Sequence, residues 1–176
     1  MSPTLDLADA VVASWKTNHR VTAFLFENLP SEIWDAPLPG MPRRTVRMMA
    51  GHIHNARCMW IKMLGRRHVR VPRRVDRHTV TRRELLAALE RSSQGFIELL
   101  QFGIAQGGRI PVSGVPWVNL PSDVVHVLAY LVAHEGHHRG QIVLVARQTG
   151  HRLSIDITGG LWQWSKRQKE ARVPRG

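Results

Sequence analysis

Apolar residues recur at spacings of three and four along most of this chain, the repeat of an α-helix rather than the two-residue repeat of a strand. Four long stretches carry that repeat: 4–29, which stops at Pro30, then 45–65, 81–106 and 121–150. Their ends carry capping chemistry. Thr45 stands as an N-cap, Thr81 and Glu84 have the spacing of a capping box, Pro121 suits a first turn, and Gly150 suits a C′ position. At about 1.5 Å of rise per residue, helices of these lengths are those of a bundle. Between them lie the loop "PLPGMPRR" and a longer Gly/Pro-rich connection over 107–122. "RIPVSGVPWV" is the strand candidate, and its prolines demote it. After Gly150, Leu161, Trp162 and Trp164 predict a short C-terminal helical segment docked on the bundle. No repeat or linker divides the chain, so the expectation is one all-α domain over 1–176, a four-helix bundle with that short segment packed on it.

Composition narrows the setting. A hydrophobic share of 43% and a charged share of 22% are those of a soluble globular protein. No apolar run approaches the roughly 20 residues needed to span a bilayer, so no membrane partner is expected. The N-terminal "MSPTLDLADAVV" lacks the basic and apolar regions of a signal peptide, and a single cysteine, Cys58, forbids an intrachain disulfide. A cytoplasmic protein is the expectation.

The net charge of +12 raises the question of polyanions. Much of it sits in 65–83, where eight arginines face one acid, Asp76. No aromatic residue there can stack on a base, so nucleic acid is expected at most as weak, non-specific, salt-sensitive binding. The plainer reading is a solvated connection between helices. The tryptophan-rich "LWQW" offers apolar surface beyond the needs of a small bundle and points to a homodimer.

The chemistry concentrates at 134–142, "HEGHHRGQI". H-E-x-x-H is the zinc-protease pattern, two helical histidines with a glutamate base. The longer metzincin form fails, because Gln141 and Leu144 stand where it needs glycine and histidine. The acid downstream, Glu170, lies in a basic tail, and no edge strand is available to receive a peptide. Peptidase activity is therefore not expected.

Helix phase sorts the ten histidines. Val127, Leu131, His134, His138, Gln141 and Val145 share one face, and imidazoles four residues apart can meet one metal ion. Two hydrogen-bonded core histidines are the alternative. Met49, His52, Ile53, Ala56, Trp60 and Met63 form a stripe on the second helix, which makes His52 the third candidate ligand. His54 lies about 200° from His52 and Cys58 about 240°, so neither is placed to join it; Cys58 reads as a packed thiol. His137 lies off the seam, toward solvent or a neighbouring subunit. His126, His68, His78 and His151 read as surface residues, while His19 can point into the bundle but stays outside the ligand set. Glu135 and Gln141 are candidates to orient a ligand or water from behind, with an arginine partner at the surface as the alternative for Glu135. Arg139 reads as structural, paired to an acid on a neighbouring helix.

The helix order, His52 within "AGHIHNARCMW" and the run "AHEGHHRGQI" resemble the DinB/YfiT-like superfamily over nearly the whole chain. The resemblance implies an up-down-down-up four-helix bundle, often dimeric, holding one divalent metal through His52, His134 and His138. It also implies thiol-dependent transferases and isomerases that use bacillithiol, mycothiol or glutathione-like cofactors. The expected function is a metal-dependent transferase that activates a low-molecular-weight thiol for attack on an electrophilic small-molecule substrate. A non-enzymatic metal-binding stress or interaction protein and a metal-dependent hydrolase are the alternatives. Zinc is the expected metal, and imidazole ligands also suit nickel, iron or copper. The arginine-rich 65–83 loop and the 107–122 connection depart from the better-known members.

Overall fold

The four periodic stretches are helices in the structure, a computed structural model that describes residues 6–65, 67–110 and 120–172. They are α1 (Leu7–Asn28), α3 (Val46–Gly65), α4 (Arg82–Ala105) and α5 (Val124–Gln148). The short α2 (Ser31–Trp34) lies between the first two of these, and α6 (Ile155–Gly160) and α7 (Trp164–Arg172) follow the last. The expected all-α bundle is present.

Local chemistry sets the helix ends. Asp6 accepts from the Ala8 and Asp9 amides, Thr45 Oγ1 from Met48 N, and Thr81 with Glu84 closes the full capping box. α5 starts later than Pro121 suggests, because Asp123 caps it by accepting from His126 N. At its other end Gly150 has φ +84°, and His151 N donates to Ala146 O across it, a Schellman closure.

Two regions differ from the sequence expectation. "PLPGMPRR" is not plain loop: β1 (Pro37–Leu38) pairs antiparallel with β2 (Met41–Thr45), turning at Gly40 with φ +74°. Two residues of β1 are too few for a period-two signal, and Pro42 hides the second strand. The tail is two short helices, and Trp162, expected to dock, is 83% exposed. Arg167 does the docking instead, its guanidinium carbon 4.0 Å from the Phe24 ring centroid, while Arg20 Nε bonds Glu170 at 2.7 Å. The strand candidate over 109–118 lies mostly outside the described residues; within them, Arg109 forms an isolated bridge with Asp123.

Contacts fix the helix directions. α1 and α4 are antiparallel, since Trp15 Nε1 donates to Ser93 O and His19 bonds Glu90. α3 and α5 are antiparallel too: His52 faces His138, Arg57 faces Glu135 and Trp60 faces Tyr130. α3 and α4 run parallel, with Gly95 against Ile61 and Gly65 against Leu99. The order is up-down-down-up. Parallel α3 and α4 force the chain to travel back along the bundle between them, and the arginine-rich segment is that return strap. Asn55 clamps it by bonding both N and O of Val75, at 2.9 and 3.0 Å, and His54 Nε2 bonds Arg73 O at 3.0 Å.

The interior is two apolar clusters with a polar layer between them. One cluster contains Phe26, Ile53, Leu89 and Ile142, and the other Trp15, Ile61, Phe96 and Leu131. Between them Glu135, fully buried, accepts from Arg57 at 2.6 and 2.9 Å, from Asn18 at 3.0 Å and from Thr22 at 2.8 Å. Arg57 also donates to Leu89 O at 3.1 Å, so this one layer touches all four long helices. Arg57 is the residue that sequence reading missed. Its signal was present, because it stands on the same face as Ile53 and Ile61.

Breaking the pair leaves a buried charge unmatched. Arg57→Met is expected to cost about 3–5 kcal/mol in urea denaturation. Arg57→Met/Glu135→Met should lose less than Arg57→Met alone. A single-variant loss under about 1 kcal/mol would contradict the assignment.

Candidate metal centre

His52 on α3 and His134 and His138 on α5 converge at the edge of the bundle. One nitrogen from each lies within 4.8 Å of the other two, and each side chain is half-buried. The ring centroids are 4.7 Å apart for His52 and His138, 5.4 Å for His52 and His134, and 4.6 Å for His134 and His138. His138 Nε2 and His134 Nε2 are 3.2 Å apart. Two nitrogens each about 2.0–2.1 Å from a tetrahedral ion stand about 3.3 Å apart, so this pair already has the spacing a metal requires.

Protonation state agrees with that use. Burial, then the charges of His138, His134, Arg77 and Arg44, pushes His52 down to about 4. Burial also lowers His134 and His138, opposed in His138 by the hydrogen bond it donates to Gln141. At neutral pH the three rings are neutral and carry free lone pairs. Gln141 Oε1 lies 2.7 Å from His138 Nδ1, which places the proton on Nδ1 and frees Nε2 to ligate. In His134 it is Nε2 that faces His138, while Nδ1 is buried without a hydrogen-bond partner. The donor set fits a divalent metal.

Glu135 does not stand behind the ligands, nor at the surface. Its carboxylate turns into the polar layer, and although burial alone would raise it, Arg57 and Arg139 hold it ionised. A carboxylate so held cannot serve as the general base that H-E-x-x-H provides in a protease. Among the described residues Arg139 pairs with no acid on a neighbouring helix; it bonds Asn18 and Thr22 on α1, at 3.0 and 2.7 Å, and lies 3.7 Å from Glu135 on its own helix.

The remaining histidines take other places. His54 is fully buried against α4, Nδ1 to Ser92 Oγ at 3.0 Å, and burial pushes it down to about 4. His19 points inward as a polar link, Nδ1 to Arg57 at 3.1 Å and Nε2 to Glu90 at 2.9 Å. His68, His78, His126, His137 and His151 are exposed. Cys58 is a packed thiol 3.3 Å from His54, and burial raises it to about 11, out of thiolate range.

A cavity of about 180 Å³ opens beside His52, His138 and Gln141. The β1–β2 hairpin supplies one wall through Leu38 and Met41, and α3 another through Met48 and Met49. Arg44 from the hairpin and Arg77 from the strap complete the rim.

The DinB family model matches this chain over residues 1–170. No curated protein matches it, and no solved structure does. Among the described residues no helix is long and apolar enough to cross a membrane.

Gln141→Leu removes the acceptor that fixes the His138 tautomer, and zinc affinity should fall about 10- to 100-fold by competition with a chromophoric chelator. Unchanged affinity would show that Gln141 does not orient the ligand. Acid should act on fold and site together. With folded histidine pKa values below 6.5, reaching about 4 at His52 and His54, the unfolded chain binds more protons across that window. Stability of the metal-free protein is therefore full above pH 6.5 and lost as pH falls toward 4, read as a falling urea midpoint. A flat midpoint across that window would contradict it.

Proposed function

The chain belongs to the DinB family, and on that premise we propose that it is a metal-dependent transferase activating a low-molecular-weight thiol. The carrying observation is a cluster of three neutral imidazoles, two of which, His52 and His138, line a cavity. Three protein ligands leave a position for an exogenous one, the pattern of catalytic rather than structural zinc. A bound divalent metal, with zinc the expected ion, would hold the thiol as thiolate at neutral pH.

The chain's own residues support a thiol over water. His52, His134 and His138 supply neutral donors, and Gln141 fixes the His138 ring. Met41, Met48 and Met49 present soft, polarisable walls that suit sulfur and a carbon electrophile. No described residue lining the cavity is acidic, so a hydrolase would lack a carboxylate base there. Sulfur would need none: the S–H proton would pass to water on binding, and the thiolate would form a C–S bond as the carbon–leaving-group bond breaks and the leaving group departs with its electron pair.

The zinc-loaded protein is expected to consume a haloaromatic electrophile only when a thiol such as glutathione or bacillithiol is supplied. His138→Ala should reduce the rate to the uncatalysed background while leaving the helical circular dichroism unchanged. Turnover that persists in His138→Ala, or that needs no thiol, would overturn the reading.

A further inference from the structure

The proposed transferase reading leaves two residues of the cavity rim without a task. Arg44 and Arg77 approach it from unconnected segments, the β2 strand and the strap, and neither has a salt-bridge partner among the described residues. Their neighbour Arg47 differs, since Asp35 neutralises it at 2.6 Å and it donates to His78 O at 2.7 Å. Unmatched guanidinium groups beside neutral imidazoles, with no acidic residue in the lining, leave the mouth of the cavity without a counter-charge.

The position of Arg77 is built rather than incidental. The Asn55 clamp on Val75 fastens the strap two residues before it. Its stem lies against α3 at Gly51, where an added Cβ would stand 3.1 Å from Arg77 Cγ. A side chain at 51 would require the Arg77 stem to give way by a few tenths of an ångström.

We propose that Arg44 and Arg77 form an oxyanion-binding rim, and that the molecule taken beside the three histidines is a small amphiphile with a carboxylate or phosphate at one end. The planar fork of arginine matches both headgroups in two-point hydrogen bonds. Leu38, Met41 and Met49 line the space behind the rim and receive the hydrocarbon part. A cavity of about 180 Å³ holds a small molecule and not a strand of nucleic acid. The inference names the substrate class for the transferase reading, and its test separates the two.

The probes are butyrate, monobutyl phosphate and the neutral butyramide, titrated calorimetrically into the as-purified protein at millimolar concentration. Butyrate or monobutyl phosphate should bind at least about tenfold tighter than butyramide, and the stronger of the two identifies the headgroup. In Arg44→Met, Arg77→Met and the double variant, the preference should shrink and then vanish, with zinc content by elemental analysis unchanged. Methionine keeps the length of the stem, and circular dichroism checks the fold. Arg77→Lys keeps charge but loses the fork and should fall between native and Arg77→Met. Equal binding of butyrate and butyramide, or no binding of either anion, overturns the proposal. So does butyrate binding that survives the double variant but disappears after EDTA treatment, because the anion would then sit on the metal. Protein that holds no metal yet keeps an arginine-dependent anion preference supports the rim while sinking the metal reading.

Discussion

The buried ion pair between Arg57 and Glu135 is the interaction on which the rest of this molecule depends. It joins α3 to α5 at 2.6 Å, and those are the two helices that carry the three clustered histidines. Asn18, Thr22 and the Leu89 carbonyl complete the hydrogen bonding, so each charge taken out of water finds several partners. A buried pair of this kind need not add net stability over an apolar layer of equal volume. Its physical effect here is register. With apolar clusters on both sides, the helices could slide with little loss of burial, but a displaced α5 would leave a carboxylate and a guanidinium unmatched in a dry interior. Fixing Arg57 opposite Glu135 also fixes His52 opposite His138, one turn further along.

The same pair explains how an H-E-x-x-H run can serve something other than peptide hydrolysis. In a helix, neighbouring residues point about 100° apart, so His134 and His138 can face His52 while Glu135 faces the core. Four hydrogen bonds and full burial then withhold the glutamate from any bound water. What remains beside the cavity is a cluster of three neutral imidazoles, two of them in its lining, with a glutamine holding one tautomer, three methionines and two arginines. Those are the groups on which the proposed soft nucleophile and anionic substrate rest.

The four helices were legible in the sequence because their apolar period runs for twenty residues or more and their caps are written in Thr81, Glu84 and Gly150. His52 clusters with His134 and His138 while His54 packs against α4, and the stripe read on α3 is the edge of its buried face. The centre of that face holds His54, Arg57 and Ile61. Arg57 shares a face with Ile53 and Ile61, but a charged residue is normally surface, and its partner lies 78 residues away in the chain, so helix phase alone does not say what would neutralise it. The hairpin at 37–45 is too short for periodicity to report. The strap's purpose follows from topology: parallel α3 and α4 need a return crossing, and no local pattern states that two helices are parallel. Both tryptophans of "LWQW" are exposed, Trp162 at 83% and Trp164 at 37%, because composition does not tell whether an aromatic side chain in a short tail finds a partner.

The central claim is that three imidazole nitrogens converge on one metal beside an open position. X-ray absorption at the zinc edge of protein loaded with one equivalent of zinc tests it most directly. The account predicts a four-coordinate spectrum of nitrogen and oxygen scatterers at about 2.0–2.1 Å, with imidazole multiple scattering that fits three rings and falls to two in His52→Ala. A sulfur scatterer at about 2.3 Å, which would require Cys58, or a spectrum unchanged by His52→Ala, would contradict it.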